Sequence, residues 1–424
     1  MNENTINGKN TIMGLQHMFV MFGATVLVPI LTGLDISVAL FASGVGTLLF
    51  HIVTKFNVPV YLGSSFAFIP AIAAISEKES LSAACGGIVI AGVLYIIVAI
   101  LFQFISFETI HAILPPRVTG PIIILIGLIL APVAIQNSAG VFSADLVTQI
   151  GTGGCWTLAI ITFAVGVFVK IYLAQWGFKF LSTLPVLVAL ITGYLISVLL
   201  GIVKFEAVSQ AAWIGLPAFS LPTFTGYGIS VAVPIAIVTM IEHFGDVLAI
   251  GNVVEKDFIR NPGIHRTLIG DGIATSLSAF MGGPANTTYS ENTGAVALTG
   301  NYNPIVMEIA AVFAILLSVV PKFGKLIGTI PAPVIGGISI LLFGMIASIG
   351  VKTMVDNRVN LHDPKNLIIS SAMLVMGLGI GVSDVQFQIG PINLTGLGLA
   401  AIVGILLNAI LSGGEREKSE RPAS

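Results

Sequence analysis

Apolar residues in this chain come in long uninterrupted runs rather than in amphipathic stripes, and that patterning constrains the fold more than any other feature. Windows bounded by charges, prolines and polar clusters number fourteen, over residues 13–33, 38–56, 60–76, 82–104, 117–136, 155–172, 182–201, 230–250, 266–283, 286–300, 303–321, 330–350, 366–383 and 395–413. A helix of about 20 residues crosses a hydrocarbon core roughly 30 Å thick. Within lipid every backbone N–H and C=O must be satisfied by the protein itself, so such runs read as transmembrane helices. Composition agrees, with 55% hydrophobic and 9% charged residues and a mean hydropathy of +1.01. The expected fold class is an all-α polytopic membrane protein of fourteen transmembrane segments.

The net charge of −2 says little about partners, because the placement of basic residues matters more than their sum in a membrane protein. With a cytoplasmic N-terminus and fourteen crossings, Lys9, Lys55, Arg117, Lys170, Lys179, Lys256, Arg260, Arg266, Lys352, Arg358, Lys365, Arg416, Lys418 and Arg421 fall inside. Only Lys78, Lys204, Lys322 and Lys325 fall outside. This bias places both termini in the cytoplasm. Residues 1–12 lack the basic start, short apolar core and small-residue cleavage site of a removable signal peptide, so the first apolar segment is expected to stay. Cys85 and Cys155 have the spacing of neither a metal site nor a redox pair and read as small buried hydrophobes.

The chain repeats itself at about half its length. "LPPRVTGPIIILIGLILA" (114–131) laid on "IPAPVIGGISILLFGMIA" (330–347) matches at Pro115/Pro331, Val118/Val334, Gly120/Gly336, Ile122/Ile338, Ile124/Ile340, Leu125/Leu341 and Ala131/Ala347. A weaker echo pairs Phe22-Gly23 with Phe244-Gly245. Seven crossings return the chain to the opposite side, so a second copy is inverted, and inverted repeats place a transporter's binding site near the bilayer midplane. Segments 3 and 10 hold matching places in the two halves, and both look broken. Pro59 and Pro70 bracket "VYLGSSFAFI", in which Gly63, Ser64 and Ser65 are poor helix formers; "GGPANTTYSENTG" carries Pro284, threonines and Gly294. Each reads as a short extended piece followed by half a helix, the alternative being two ordinary kinked helices. Irregular backbone at membrane depth survives only where protein or a watery cavity satisfies it.

Four acidic residues, Glu242, Asp246, Asp271 and Glu291, fall within apolar segments. Each costs about 2.5 to 3.5 kcal/mol at a helix centre on insertion scales, which makes an intramembrane acid a functional-site hypothesis by default. Glu242 and Asp246 are four residues apart on one helical face. Two such anions repel, so at least one member of the cluster is expected to hold a proton near neutral pH, as a proton-coupling site requires. The ordinary alternative for Asp246 is a structural carboxylate bonded to a neighbouring helix. Asp271, in "RTLIGDG", lies just past a basic loop and is expected to be solvated there, as is Glu308 near a segment end. His243 points away from its neighbour Glu242, and neither it nor His17 pairs with Cys or Asp at a ligand spacing, so no metal is expected. No Ser-His-Asp arrangement, GxxxxGK[ST] loop or basic-aromatic patch is present, which argues against an enzyme, ATP-driven transport or a nucleic-acid partner.

"ENTGAVALTG" (291–300) resembles the signature of the nucleobase/ascorbate transporter family: Gln/Glu/Pro, Asn, any residue, Gly, four of any kind, Thr, then Arg/Lys/Gly. Glu291, Asn292, Gly294, Thr299 and Gly300 fill its constrained places, and "LQHMFVMFGATVLVP", "PVYLGSSFAF", "IEHFGDVLA" and "NPGIHR" extend the likeness to the family's bacterial uracil permease branch over nearly the whole chain. The resemblance implies two inverted sevens, with short antiparallel strands breaking segments 3 and 10. It implies a cytoplasmic N-tail (1–12), core segments 1–4 (13–104), gate segments 5–7 (105–212), core segments 8–11 (226–325), gate segments 12–14 (326–413) and a cytoplasmic C-tail (414–424). It further implies uracil bound between the strands, held by Glu242 and Glu291, with Phe66 giving a backbone N–H and an aromatic wall, Ser290 a backbone N–H, and Tyr289 a lining. Ser65 and Asn292 complete the expected substrate-binding set, and Glu242, Asp246 and Glu291 the proton-coupling set. One departure stands out: the uracil permease pattern has "EHVGH", with a histidine where this chain has Asp246. Purine-transporting relatives carry an aspartate there, but with "ES" after the glutamate and Gln opening the signature. His243 and Glu291 therefore favour uracil.

The implied function is proton-coupled uptake of uracil by alternating access across a bacterial cytoplasmic membrane, in a homodimer surrounded by lipid, with the proton as coupling ion and no other cofactor. The alternatives are a xanthine or urate permease of the same family and a uracil uniporter. An anion carrier is disfavoured because carboxylates in the site would repel its cargo.

Overall fold

The computed structural model describes residues 7–105, 109, 112–383, 385, 387–390 and 392–419. The chain opens with α1 (Gly8–Thr32), capped by the Asn7 side chain on the N–H of Asn10 and closed by Gly33 at φ +80°. Next comes α2 (Ile36–Val53), capped by Asp35. No helix then forms until residue 66. Strand β1 (Leu62–Ser64) and one 3-10 turn (Phe66–Phe68) precede α3 (Ile69–Lys78), and α4 (Leu81–Phe102) follows behind its Ser80 cap.

Beyond it lie α5 (Pro116–Ile129), α6 (Ala131–Ser138), α7 (Ala144–Phe168) and α8 (Pro185–Leu199). The window over 117–136 is one 23-residue apolar span, Pro116–Ser138, divided into α5 and α6 where Pro132 in the first turn of α6 cannot donate back to α5. The longest helix, α9 (Gly226–Val254), leads to α10 (Ile264–Phe280), β2 (Asn286–Thr288) and α11 (Ser290–Thr299). Helix α12 (Ile305–Ser318) bends by 91° into α13 (Pro321–Ile327). The chain ends with α14 (Ala332–Asp356), α15 (Pro364–Val382), a hairpin of β3 (Phe387–Ile389) and β4 (Ile392–Leu394), and α16 (Gly396–Ser419).

Among the described residues, eight helices are long and apolar enough to cross a membrane, or nine if the bent pair counts as one span. The architecture is mostly helical rather than all-α, with two small sheets. Pro115 and Pro331, matched in the sequence alignment of the two halves, each stand immediately before the first residue of α5 and α14. The β3–β4 hairpin has no counterpart among the sequence expectations. Its alternation is only three residues long on each side of Gly390, at φ +58°, too short to register inside a polar gap between apolar runs.

Packing divides the helices into two groups. In one, α10 lies on α2 and α4, α12 on α1 and α2, and α9 on α4; in the other, α14 lies on α5, α6 and α7, and α15 on α5 and α16. Contacts between the groups include α9 with α5 and α16, and α1 with α8. The α4–α10 contact is close because both helices present glycine: a Cβ on Gly272 would stand 2.8 Å from the Gly92 carbonyl oxygen. Cys85 and Cys155 are both buried and free.

Candidate functional site

The two broken segments meet. β1 and β2 pair antiparallel with Leu62 opposite Thr288, Gly63 opposite Thr287 and Ser64 opposite Asn286, and the N–H of Ser65 adds a bond to the Ala285 carbonyl at 2.8 Å. All six strand residues are buried. Hydroxyls on α2 and α10 bond to the strand backbone, and one on β1 bonds to α1. Thr47 of α2 accepts from the Leu62 N–H at 3.0 Å, Ser64 donates to the Thr25 carbonyl of α1 at 2.9 Å, and Thr275 of α10 donates to the Asn286 carbonyl at 2.6 Å. A two-stranded ribbon this short has no stability of its own. It stands because these hydroxyls take the place that water would have.

Each strand runs into a helix start whose N-cap residue makes no side-chain capping bond: Ser65 ahead of the 3-10 turn and Tyr289 ahead of α11. The first turn of a helix carries N–H groups without intrahelical partners, so both starts present donors that the N-cap side chains do not consume. Ser65 Oγ is buried with no hydrogen-bond partner among the described residues. The Tyr289 hydroxyl crosses back to donate to the Ser64 carbonyl at 3.0 Å. Its ring passes over Gly63, where a Cβ would stand 2.6 Å from that hydroxyl and closer still to the ring.

Glu242, on the middle of α9, lines a small cavity with Phe66, Thr287, Thr288 and Tyr289, closed on the far side by Ile123 of α5 and by Ile346 and Ile349 of α14. One wall therefore belongs to each packing group. Phe66 also meets Phe343 of α14 edge to face, with ring centroids 5.8 Å apart.

Behind this cavity the acidic groups form a chain. Thr288 donates to Asp246 Oδ2 at 3.2 Å and stands 3.3 Å from His243 Nδ1. A hydroxyl has one hydrogen to give, so the contact with His243 requires an N–H on that ring nitrogen. The same nitrogen lies 3.5 Å from Asp271 Oδ2, with both side chains fully buried. The expectation that Asp271 is solvated is therefore overturned: α10 begins at Ile264, which carries Asp271 two turns into the protein on the side facing α9. Glu308 is likewise less wet than expected, three-quarters covered and 3.2 Å from Nδ1 of the fully buried His51, whose Nε2 donates to the Val60 carbonyl at 2.9 Å.

Of the residues anticipated from sequence, the structure brings Phe66, Glu242 and Tyr289 together around the cavity and sets Ser65 beside them. Asp246 lies one turn further along α9, tied to β2. Asn292 sits elsewhere, fully buried, giving an N–H to the Pro59 carbonyl at 3.1 Å and turning its oxygen to His17 Nδ1 at 3.2 Å. The carbonyl of Pro59 can only accept, so the orientation of the amide is fixed and His17 carries its hydrogen on Nδ1. Ser290 and Glu291 open α11 by their backbone; their side chains lie outside the described residues. Sequence reasoning passed over Thr287, Thr288 and the His243–Asp271 contact. "NTTY" between two broken halves was the available signal for the threonines, whereas the contact depends on how two helices are rotated.

Comparison with known proteins follows from this geometry. A family profile described as "Permease family" matches residues 8–385. The uracil permease of Bacillus caldolyticus is 43% identical, with 96% of this chain and 93% of that protein aligned. The uracil permease of Bacillus subtilis (strain 168) is 41% identical, with 96% and 93% aligned. Among solved structures, the transmembrane domain of a cyanobacterial bicarbonate transporter, BicA, superposes with a TM-score of 0.64 at 13% identity, covering 95% of this chain and 97% of that one. That last likeness concerns the fold alone.

Proposed function

The chain belongs to this permease family, a family of multi-pass transporters and not of enzymes, and from that membership we propose that it takes up uracil together with a proton by alternating access. The observation that carries the reading is Glu242 set in a cavity between the uncapped starts of two half-helices. Uracil is flat and neutral, with alternating carbonyl acceptors and N–H donors. A carboxylate accepts from the N–H groups, and the first-turn amides at Phe66 and Ser290 donate to the carbonyls. Phe66 and Tyr289 give the ring aromatic walls. Relatives of 41% and 43% identity that bear the name uracil permease support the choice of base. Glu291, opening the family signature, is proposed as the second carboxylate on the base and as a partner of Glu242 in proton coupling, with Asp246 tuning Glu242 through Thr288.

The same reading makes residues 13–104 and 226–325 the moving core and 105–212 and 326–413 the gate, in fourteen segments arranged as two inverted sevens. Support comes from the two packing groups, from the matched prolines at the starts of α5 and α14, and from the antiparallel pairing of strands drawn from corresponding places in the two halves. The positive-inside count puts both termini in the cytoplasm of a bacterium, with the protein in its cytoplasmic membrane as a homodimer joined through gate segments. Membrane voltage supplies about 2.3 kcal/mol per charge per 100 mV. As about 1.4 kcal/mol is a factor of ten, one proton per base sustains more than tenfold accumulation.

The test is uptake of labelled uracil into proteoliposomes, with and without an inward proton gradient and with excess xanthine as competitor. Gradient-driven accumulation that xanthine leaves untouched is the expected result. Inhibition by xanthine points to a purine permease, and equilibration without accumulation to a uniporter. Glu242→Gln removes a charged hydrogen-bonding partner worth about 1.5 to 3 kcal/mol, which corresponds to a loss of roughly 10- to 150-fold in uptake. Normal concentrative uptake by that variant sinks the assignment.

A further inference from the structure

The connection between α8 and α9 crosses the surface without regular secondary structure from residue 211 to residue 225. No charged residue stands between Glu206 and Glu242. Along this connection Trp213, Ile214, Leu216, Leu221 and Phe224 all face outward, with Ile214 83% and Leu216 79% exposed. Exposed side chains of this size and density have no place in water.

The path of the segment is fixed from beneath. Its backbone bonds in turn to three separate parts of the group that holds the strands. Ala212 accepts from the Lys322 N–H at 3.2 Å and the Gly215 N–H donates to the Val319 carbonyl at 3.1 Å, both at the α12–α13 bend. The Ser220 N–H donates to the Met281 carbonyl after α10 at 3.1 Å, and the Thr223 N–H to the Ser82 carbonyl at the start of α4 at 2.9 Å. Phe219 meets Phe41 of α2 edge to face at 5.2 Å while staying partly exposed. Lys322 sets its ammonium 4.5 Å from the centre of the Trp213 ring.

We propose that residues 211–225 form a strap lying in the headgroup and upper acyl region of the bilayer, whose apolar side chains are covered by lipid of one leaflet. Lipid is the occupant that the chemistry selects. The flanking helices already span a membrane, the outward face is apolar without a charge, and the Lys322–Trp213 pair is a combination suited to the level where headgroups begin. Depth is limited as well. Among the described residues, the remaining N–H groups of the strap, which Pro217 and Pro222 reduce in number, make no backbone bond except that of Phe219 to the Pro217 carbonyl at 2.8 Å, and lipid-exposed irregular backbone is not tolerated in the hydrocarbon centre. By the positive-inside count the leaflet is the outer one. The lipid there grips α2, α4, α10 and α12, the group that carries β1 and β2. This proposal rests on the membrane-spanning fold and not on the identity of the substrate.

The chain has three tryptophans, Trp156, Trp176 and Trp213, so Trp156→Phe with Trp176→Phe leaves Trp213 as the only indole. In phosphatidylcholine vesicles, nitroxide lipids labelled near the carbonyl end of the acyl chain should quench it at least about twofold more than lipids labelled near the methyl end, in keeping with burial at the headgroup–acyl boundary. Aqueous iodide should quench it little. Strong iodide quenching without nitroxide quenching puts the strap in water and overturns the proposal. Quenching by neither puts protein over it, such as a second copy of the chain, and overturns it equally. Where the double variant folds poorly, Leu216→Cys carrying a thiol-linked fluorophore, in a chain that keeps its tryptophans and whose Cys85 and Cys155 are buried, reads the same depth with the same quenchers.

Discussion

Gly63 is the residue on which the pocket's shape depends. The ring of Tyr289 lies where any side chain at that position would be, and the tyrosine hydroxyl is already committed to Ser64, so neither can shift without opening the strand pair. Gly63→Ala should cost about 1 to 3 kcal/mol of overpacking, read as a lowered melting temperature in detergent and a loss of uptake of tenfold or more. Adding Tyr289→Ala should restore the melting temperature and leave uptake low. Recovery of uptake by the double variant would remove Tyr289 from the proposed site. At this scale the sequence was legible where a residue's chemistry is unusual for its surroundings: Glu242 in a run of apolar residues declares itself. It was illegible for Asp271, whose place beside a basic loop suggested water. Which way a helical carboxylate points depends on the helix packed against it, and His243 of α9 is such a neighbour.

Strands β1 and β2 have three residues each, and their stability is borrowed from hydroxyls on α2 and α10 and from the Thr25 carbonyl of α1. Thr288 ties the ribbon to Asp246 and His243 of α9. Thr288→Val keeps the shape and removes both bonds, leaving Asp246 and His243 short of a partner in a buried setting. A loss of about 1 to 3 kcal/mol in stability is expected, together with a changed pH dependence of uptake. An unchanged pH profile would show that Asp246 does not act through this threonine. The sequence signalled that segments 3 and 10 are broken, since proline, glycine and threonine at those places oppose a continuous helix. It carried no comparable signal for the break between α5 and α6 or for the hairpin β3–β4, because one proline and a three-residue alternation fall within the noise of apolar sequence.

Across the whole molecule, the cavity at Glu242 has one wall in each packing group, so relative movement of the groups would open or close it. The hairpin offers a way to arrest such movement: Asn393 of β4 donates to Ser230 Oγ of α9 at 3.3 Å. Ser230→Cys with Asn393→Cys, oxidised to a disulfide, should stop uptake, and reductant should restore it; Cys85 and Cys155 are buried and do not compete for the oxidant. Undiminished uptake by the cross-linked protein would mean that these two elements do not move apart during transport. The sequence by itself determined the membrane setting, the broken segments, the matched prolines and the glutamate at the site, because each is written in local chemistry: the hydrophobicity of a run, the propensity of a residue, the cost of an isolated charge. Only the tertiary structure decided the register in which the two broken segments pair, that Asn292 spends its amide on His17 and Pro59, that Asp271 is buried against His243, and that an uncharged connection wraps one helix group. These are contacts between residues far apart in the chain, and their partners are chosen by how helices pack and rotate against one another, which no local pattern records.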